Sequence, residues 1–277
     1  MEIFIRNKPY TGPVQAVVLD WAGTAVDFGC MGPVAVFIEA FHRLGVEVTA
    51  AEARLPMGLM KKDHVRAMCR MPTVVARWEG VHGSAPEEKD VEAVYDYVQP
   101  LMIGTILRYA DPIPGLLDAV AAWRGKGVKI GSCTGYTFAM MQPLLHEVRK
   151  RGYSPDSLVC PSDVPAGRPY PWMCYQNAIN LQVYPLEAMV KIGDTVSDIE
   201  EGLNAGMWTI GVAKTGNELG LTEAEVARLE PAALKARLET IEERLRTVGA
   251  HYVVEGIWDC PAVVEGINER LARGERP

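Results

Sequence analysis

The sequence predicts an α/β fold, an open parallel sheet wrapped by helices, with a helical cap domain inserted after the first strand. Three observations carry that prediction. Short apolar runs recur along the chain, helical patterns fill the intervals between them, and one interval of roughly eighty residues breaks the alternation with helical periodicity alone.

The first run, AVVLD at 16–20, reads as a buried strand that stops on Asp20. From Gly29 to about Arg108 no run has strand character. There Val34, Phe37, Ile38, Phe41 and Leu44 make one apolar helical face with Gly45 as its stop. Thr49 and Glu52 fit a capping box for the next helix, and VEAVYDYVQPLMIGTIL continues the helical character. The alternation then resumes. GLLDAVAAWRGKG reads as a helix before the strand VKIGSCT at 128–134, WMCYQNAINLQ as a helix before MVKIGD at 189–194, and SDIEEGLNAG as a helix before WTIGVA at 208–213. LTEAEVARLEPAALKARLETIEERLRTVG reads as one or two amphipathic helices with Thr222 and Glu225 as another cap box, and HYVV at 251–254 as a last strand. The expected division is a core of 1–28 and 108–277 and a cap of 29–107, with the boundaries as hinges. Open sheets of this kind bind ligands beyond the carboxyl ends of their strands, so the cap would stand over the ligand site.

Composition narrows the function. The chain has 277 residues, 48% of them apolar, and a net charge of -7, which fits a globular protein and argues against broad neutralisation of a nucleic acid. A small-molecule ligand is the expectation. The six cysteines, Cys30, Cys69, Cys133, Cys160, Cys174 and Cys260, form no CxxC pair and do not cluster with histidine, which argues against zinc. Glu2, Arg6 and Lys8 interrupt the apolar start, and no later run has the length of a membrane span. Cytoplasmic residence with reduced thiols follows.

The chemistry-bearing residues cluster at predicted strand ends. Asp20 ends the first strand, and KIGDTVSD puts Asp194 at the end of another with Asp198 four residues on. Three acids brought together would repel one another, so the grouping makes sense around a hard divalent cation, with Mg²⁺ the expected ion. Asp194 and Asp198 also fit a turn residue and a helix cap. Thr134 and Gly135 end a third strand with a hydroxyl and a turn suited to phosphate oxygens, and Arg168 in PAGRPYPW offers a fixed positive charge. In PMGLMKKDHVRAM, read as a helix, Met57, Met60, Lys61, His64, Val65 and Met68 share one face while Lys62, Asp63 and Arg66 point elsewhere. An ammonium on an apolar face is disfavoured, so the pKa of Lys61 should fall and free some amine for attack on an aldehyde. A lysine snorkelling at the edge of a core helix fits the pattern as well.

The order Asp20, Thr134, Arg168, Asp194, Asp198 resembles the haloacid dehalogenase superfamily, which implies a Rossmann-like core and an Asp20 that attacks phosphorus to form an aspartyl phosphate. It also implies that Asp20, Asp194 and the Ala22 main-chain carbonyl hold Mg²⁺, with Asp198 supporting them. Phosphatases of that superfamily carry a second acid where this chain has Ala22. The absence of that acid suits a leaving group it could not help, such as carbon, which would need an electron sink. DWAGTAVDFGC, PMGLMKKDHVRAM, GSCTGYT, DVPAGRPYPWMCYQNA and GDTVSDIEEGLNAGMWTIGV together resemble the phosphonoacetaldehyde hydrolases, or phosphonatases, over nearly the whole chain.

That resemblance implies a Schiff base between Lys61 and the substrate aldehyde, C–P bond hydrolysis to acetaldehyde and phosphate, and a place in 2-aminoethylphosphonate degradation. It gives His64 proton transfers around the imine and gives phosphate binding to Arg168 and the Thr134–Gly135 turn. Met57, Cys30 and Tyr136 become pocket-lining positions, for which plain core packing is an equal reading. Arg168 stands where the superfamily more often has Lys, and a guanidinium restricts it to an electrostatic role. The partners implied are a small phosphonate substrate and a second copy in a homodimer joined through the cap. The Val34–Leu44 helix is a candidate face for that contact, although its apolar side also fits intradomain core. No nucleic acid or membrane is expected. The competing readings are an ordinary phosphatase or phosphomutase, against which Ala22 speaks, and a silent scaffold, against which the retained acids speak. A nicotinamide oxidoreductase is remote, because no GxGxxG follows the first strand.

Overall fold

Six strands, β1 (Ala16–Leu19), β2 (Lys129–Cys133), β3 (Ser157–Val159), β4 (Met189–Gly193), β5 (Trp208–Val212) and β6 (Tyr252–Val254), form one sheet in the computed structural model, which describes residues 9–277. The N-terminal stretch read above through Glu2, Arg6 and Lys8 lies outside the described residues. The strand order is β3-β2-β1-β4-β5-β6 and every pairing is parallel. The chain therefore runs outward from β1 through β2 to β3, then crosses to the other side of β1 for β4, β5 and β6. That reversal leaves a crevice at the carboxyl ends of β1 and its two neighbours, where open α/β sheets take their ligands.

Every residue of β1, β4 and β5 is buried, as strands covered by helices on both faces must be. Five of the six strands match the apolar runs of the sequence. β3 is the exception. Its three residues sit at one edge of the sheet, between Asp156 and Pro161, and are too short to show a period.

Between β1 and β2 lie α1 (Met31–His42), α2 (Ala50–Arg54), α3 (Lys61–Cys69), α4 (Pro72–His82), α5 (Glu88–Ile106) and α6 (Leu116–Gly125). The first five make up the expected helical insertion. α1 stops at His42, three residues short of Gly45, which takes its left-handed φ of 76° in the turn beyond. Val34, Phe37 and Phe41 are buried within this chain, against α5 and against the rings of His64 and Trp78. Most of the apolar face is thus core of the insertion, while Ile38 and Leu44 stay half-buried. Thr49 and Glu52 cap α2 reciprocally, the Glu52 main-chain N–H donating to Thr49 Oγ1 and the Thr49 N–H to Glu52 Oε2.

The remaining helices, α7 (Phe138–Lys150), α8 (Trp172–Leu181), α9 (Val196–Ala205), α10 (Glu223–Val226), α11 (Pro231–Val248) and α12 (Cys260–Ala272), flank the sheet. The C-terminal amphipathic stretch forms two helices because Pro231 restarts the second at its first turn, and Thr222 and Glu225 cap the first. No helix among the described residues is long and apolar enough to cross a membrane.

Candidate active site

In the sheet register Leu19 on β1 lies opposite Ser132 on β2 and Ile192 on β4. Asp20 follows Leu19 directly, and Thr134 and Asp194 come two residues after its partners, so the three emerge from neighbouring strand ends. All three are buried, with Asp194 at 0% exposure. Asp198, one turn into α9, joins them, and one ligand oxygen from each of Asp20, Asp194 and Asp198 lies within 4.8 Å of the others.

The approach is possible because two glycines leave room. A Cβ on Gly193 would lie 2.3 Å from the Asp198 carboxyl carbon, and one on Gly23, at φ 84°, would lie 2.5 Å from Asp194 Oδ2. The loop carrying Gly23 folds over Asp20, its N–H donating to the Val26 carbonyl at 2.7 Å, and it leaves the Ala22 carbonyl without a hydrogen-bond donor among the described residues. Asp194 accepts from the Asn217 main-chain N–H at 2.7 Å, from Thr24 Oγ1 at 3.2 Å and from Cys30 Sγ at 3.3 Å.

Burial, with Asp20 and Asp198 nearby, pushes the Asp194 carboxyl well above the ordinary carboxylate range. Burial and Asp198 push Asp20 up, in spite of Arg168. Asp198 goes the other way, because Arg168 and Lys191 outweigh its desolvation. Asp194 thus has no cationic partner among the described residues, and Asp20 is only partly compensated by Arg168. With an all-oxygen donor set that includes the undonated Ala22 carbonyl, the residues fit a hard divalent cation.

Arg168 spans the site. Its Nη2 donates to Asp20 Oδ1 at 2.7 Å and lies 3.1 Å from Asp198 Oδ1, its Nε donates to Glu201 at 2.9 Å, and its Nη1 donates to the Gly58 carbonyl at 3.2 Å. Lys191, in the middle of β4 and 0% exposed, lies 2.5 Å from Asp198 Oδ1 and 3.6 Å from Glu201 Oε2. An unpaired charge buried this deeply would cost several kcal/mol, so each member of this group depends on the others. Glu201 and Lys191 escaped the sequence reading. Lys191 carried a signal as the one charge in an otherwise apolar strand, whereas Glu201 is indistinguishable by pattern from the solvated residues of an amphipathic helix.

The insertion supplies the remaining wall. α3 begins at Lys61, so Met57 and Met60 precede the helix instead of sharing its face; Pro56 and a Gly58 with φ 93° break the pattern. From Lys61 onward the expected face holds, with Lys61, His64, Val65 and Met68 buried and Lys62, Asp63 and Arg66 partly exposed. The segment Met57–Leu59 rests directly on the core. A Cβ on Gly58 would lie 2.0 Å from Ser197 Oγ, one on Gly135 would lie 2.5 Å from the Leu59 carbonyl oxygen, and Ser197 Oγ donates to the Met57 carbonyl at 3.3 Å.

Asp20, Ala22, Met57, Lys61, Thr134, Gly135, Tyr136 and Arg168 all line one narrow, tightly closed cleft. Cys30 lies behind it against Asp194, and His64 lies beneath Lys61 in the insertion core, stacked on Phe37 at 3.7 Å. The Lys61 ammonium nitrogen sits 4.7 Å from the Tyr136 ring centre and 5.7 Å from that of Phe37. Burial pushes its pKa down to about 8, against the pull of Asp20. His64 Nε2–H donates to the Ala53 carbonyl at 2.9 Å, which fixes the tautomer and leaves Nδ1 buried without a partner among the described residues. Burial and the nearby Lys61 hold that imidazole neutral, well below its ordinary pKa.

Residues 14–206 match a family model described as a haloacid dehalogenase-like hydrolase. A phosphonoacetaldehyde hydrolase of Syntrophobacter fumaroxidans is 62% identical over 277 residues, covering 100% of both chains. A phosphonoacetaldehyde hydrolase-like protein of the same organism is 60% identical over the same span. Among solved structures, a phosphonoacetaldehyde hydrolase-like protein from Oleispira antarctica aligns with a TM-score of 0.96 and 39% identity, again over 100% of each chain.

Proposed function

The chain belongs to the phosphonoacetaldehyde hydrolases, a family of haloacid dehalogenase-like hydrolases, and from that membership we propose that it cleaves the C–P bond of phosphonoacetaldehyde through a Lys61 imine and an Asp20 aspartyl phosphate. One observation carries the reading: a buried lysine with its pKa pushed down to about 8 lines the same cleft as a strand-end aspartate held by arginine.

The neutral Lys61 amine attacks the aldehyde carbon, and loss of water gives the protonated imine. An Asp20 carboxylate oxygen attacks phosphorus. The electron pair of the breaking C–P bond moves onto carbon and through to the iminium nitrogen, leaving an enamine and an aspartyl phosphate. One water hydrolyses the aspartyl phosphate to inorganic phosphate. Protonation of the enamine at carbon regenerates an imine, and a second water releases acetaldehyde and the amine. One water made and two consumed give net hydrolysis. His64 Nδ1 is the neutral acceptor that takes and returns protons around the imine, while Arg168, Thr134 and Gly135 hold the phosphoryl oxygens. Asp20, Asp194 and the Ala22 carbonyl would hold Mg²⁺, supported by Asp198, and the ion would supply positive charge against the phosphoryl oxygens. Met57 and Tyr136 shape the aldehyde end, and Cys30 supports Asp194 from behind.

Residues 29–107 act as the cap that delivers Lys61, with 1–28 and 108–277 as the core. The protein works in the cytoplasm in 2-aminoethylphosphonate breakdown, without nucleic acid. It works as a homodimer joined through the cap, with the Val34–Leu44 face, where Ile38 and Leu44 stay half-buried, as a candidate contact.

Reduction with borohydride in the presence of phosphonoacetaldehyde tests the imine. Irreversible inactivation is expected, with the added mass on Lys61. Because only the free amine attacks, the inactivation rate should rise with pH and level off above about 8, falling about tenfold per unit below it. An adduct on Lys62, or none while phosphate is still released, overturns the assignment.

A second expectation concerns the docked segment. Gly58→Ala places a Cβ against Ser197 and Thr195 in a backbone conformation that disfavours it, so Lys61 shifts out of register with Asp20. Steady-state assays should show kcat/KM falling about a hundredfold with the melting temperature nearly kept. Unchanged kinetics would mean that the docking does not set the reacting geometry.

A further inference from the structure

Arg54, the last residue of α2, lies outside the cleft, yet it is the most heavily bonded link between the insertion and the loop after β5. Its Nη1 donates to the Gly29 carbonyl at 2.8 Å and to Asn217 Oδ1 at 3.2 Å, and its Nη2 donates to the Gly220 carbonyl at 3.0 Å. Asn217 answers with Nδ2, which donates to the Arg54 carbonyl at 3.1 Å. The pocket is shaped for this side chain. A Cβ on Gly220, at φ 64°, would lie 2.7 Å from the guanidinium carbon.

Two consequences meet at Asn217. Its side chain is clasped by Arg54, and its main-chain N–H donates to Asp194 Oδ2 at 2.7 Å. Three residues beyond Arg54 begins Met57–Leu59, the segment that docks on the core and leads into Lys61. We propose that Arg54 is a positioning residue, a latch that ties placement of the Lys61-bearing segment to orientation of Asp194 through Asn217. The proposal rests on the reading in which Asp194 holds Mg²⁺ and Lys61 forms the imine. A guanidinium is suited to the task because its planar fork serves several carbonyl oxygens at once, and a lysine ammonium in the same place would leave some of them undonated. The latch works in both directions: a cation that orders Asp194 orders Asn217, Arg54 and the docked segment with it.

Calorimetric titration of Mg²⁺ into substrate-free protein tests the link before any turnover. Wild type is compared with Arg54→Lys, Arg54→Gln, Asn217→Ala and the Arg54→Gln/Asn217→Ala double variant, each checked for a native melting transition, while amide hydrogen exchange over residues 54–61 is followed with and without Mg²⁺. The expected result is about tenfold weaker binding in Arg54→Gln, in line with the usual loss when an outer partner of a metal ligand is removed. Arg54→Lys should be intermediate, and the double variant should be no weaker than the weaker single variant. The protection that Mg²⁺ confers on 54–61 in wild type should disappear in Arg54→Gln. Wild-type affinity and protection in natively melting Arg54 variants overturn the latch, as does a double variant whose loss equals the product of the single losses. Should Arg54→Gln fail to fold, Arg54→Lys decides the matter by the same two measurements. A wild type that takes up no Mg²⁺ overturns the latch together with the metal reading, whereas a missing Lys61 adduct alongside intact Mg²⁺ coupling removes only the imine.

Discussion

Replacing Lys61 by arginine is expected to leave a folded protein whose release of phosphate from phosphonoacetaldehyde falls below about 10⁻⁴ of the wild-type rate. The substitution keeps a cation over the Tyr136 ring, where Lys61 Nζ now lies at 4.7 Å, so the electrostatic environment of Asp20 is largely preserved. What is lost is a nitrogen able to surrender its proton and bond to carbon. Without the imine, the electron pair of the C–P bond has no acceptor, and Asp20 faces a carbanion as leaving group. Borohydride should then leave no adduct on the protein. Phosphate release near the wild-type rate would show that Lys61 serves only as a positive charge and would return the chain to ordinary phosphatase chemistry.

Asp20→Asn should separate the two halves of the reaction. The amide has nearly the shape of the carboxylate but is a far weaker nucleophile, so phosphate release should fall by at least about 10⁴-fold. Arg168 keeps Asp198 and Glu201 as partners, and one negative charge leaves a crowded cluster, so stability should be unchanged or higher. Lys61 remains free to condense with the aldehyde, and the borohydride adduct should still form. Loss of the adduct in Asp20→Asn would show that the two residues do not act in separable steps, and retained turnover would exclude Asp20 as the nucleophile.

Much of this arrangement is legible in the sequence. Asp20, Thr134 and Asp194 each end an apolar run, and parallel neighbours in one sheet must bring such ends together. Lys61 and His64 sit three apart in a helix, which places both on one face whatever the exact helix start. The start itself was misread, because Met57 and Met60 extend the apolar period while Gly58 breaks the backbone beneath it. β3 was invisible for a different reason: three residues at a sheet edge carry no period. The links at Arg168–Glu201, Lys191–Asp198 and Arg54–Asn217 span from 7 to 163 positions and depend on the packing of whole elements, so neither periodicity nor local spacing encodes them. Of the residues the sequence reading missed, Lys191 alone carries a signal, as a charge that a buried strand cannot hold without a partner.

Gly58 and Gly135 face each other across the mouth of the cleft with main chain on both sides, the Gly58 and Leu59 carbonyls against the turn after β2. A wall of this kind has no side chain to trim. Point substitution at either glycine can only narrow the opening, so a lineage drifting toward bulkier aldehydes would have to make room elsewhere in the lining, at Met57 or Tyr136. The Asp20 carboxylate and the Lys61 amine could pass to descendants unchanged, while this side of the opening stays fixed in the path of the backbone.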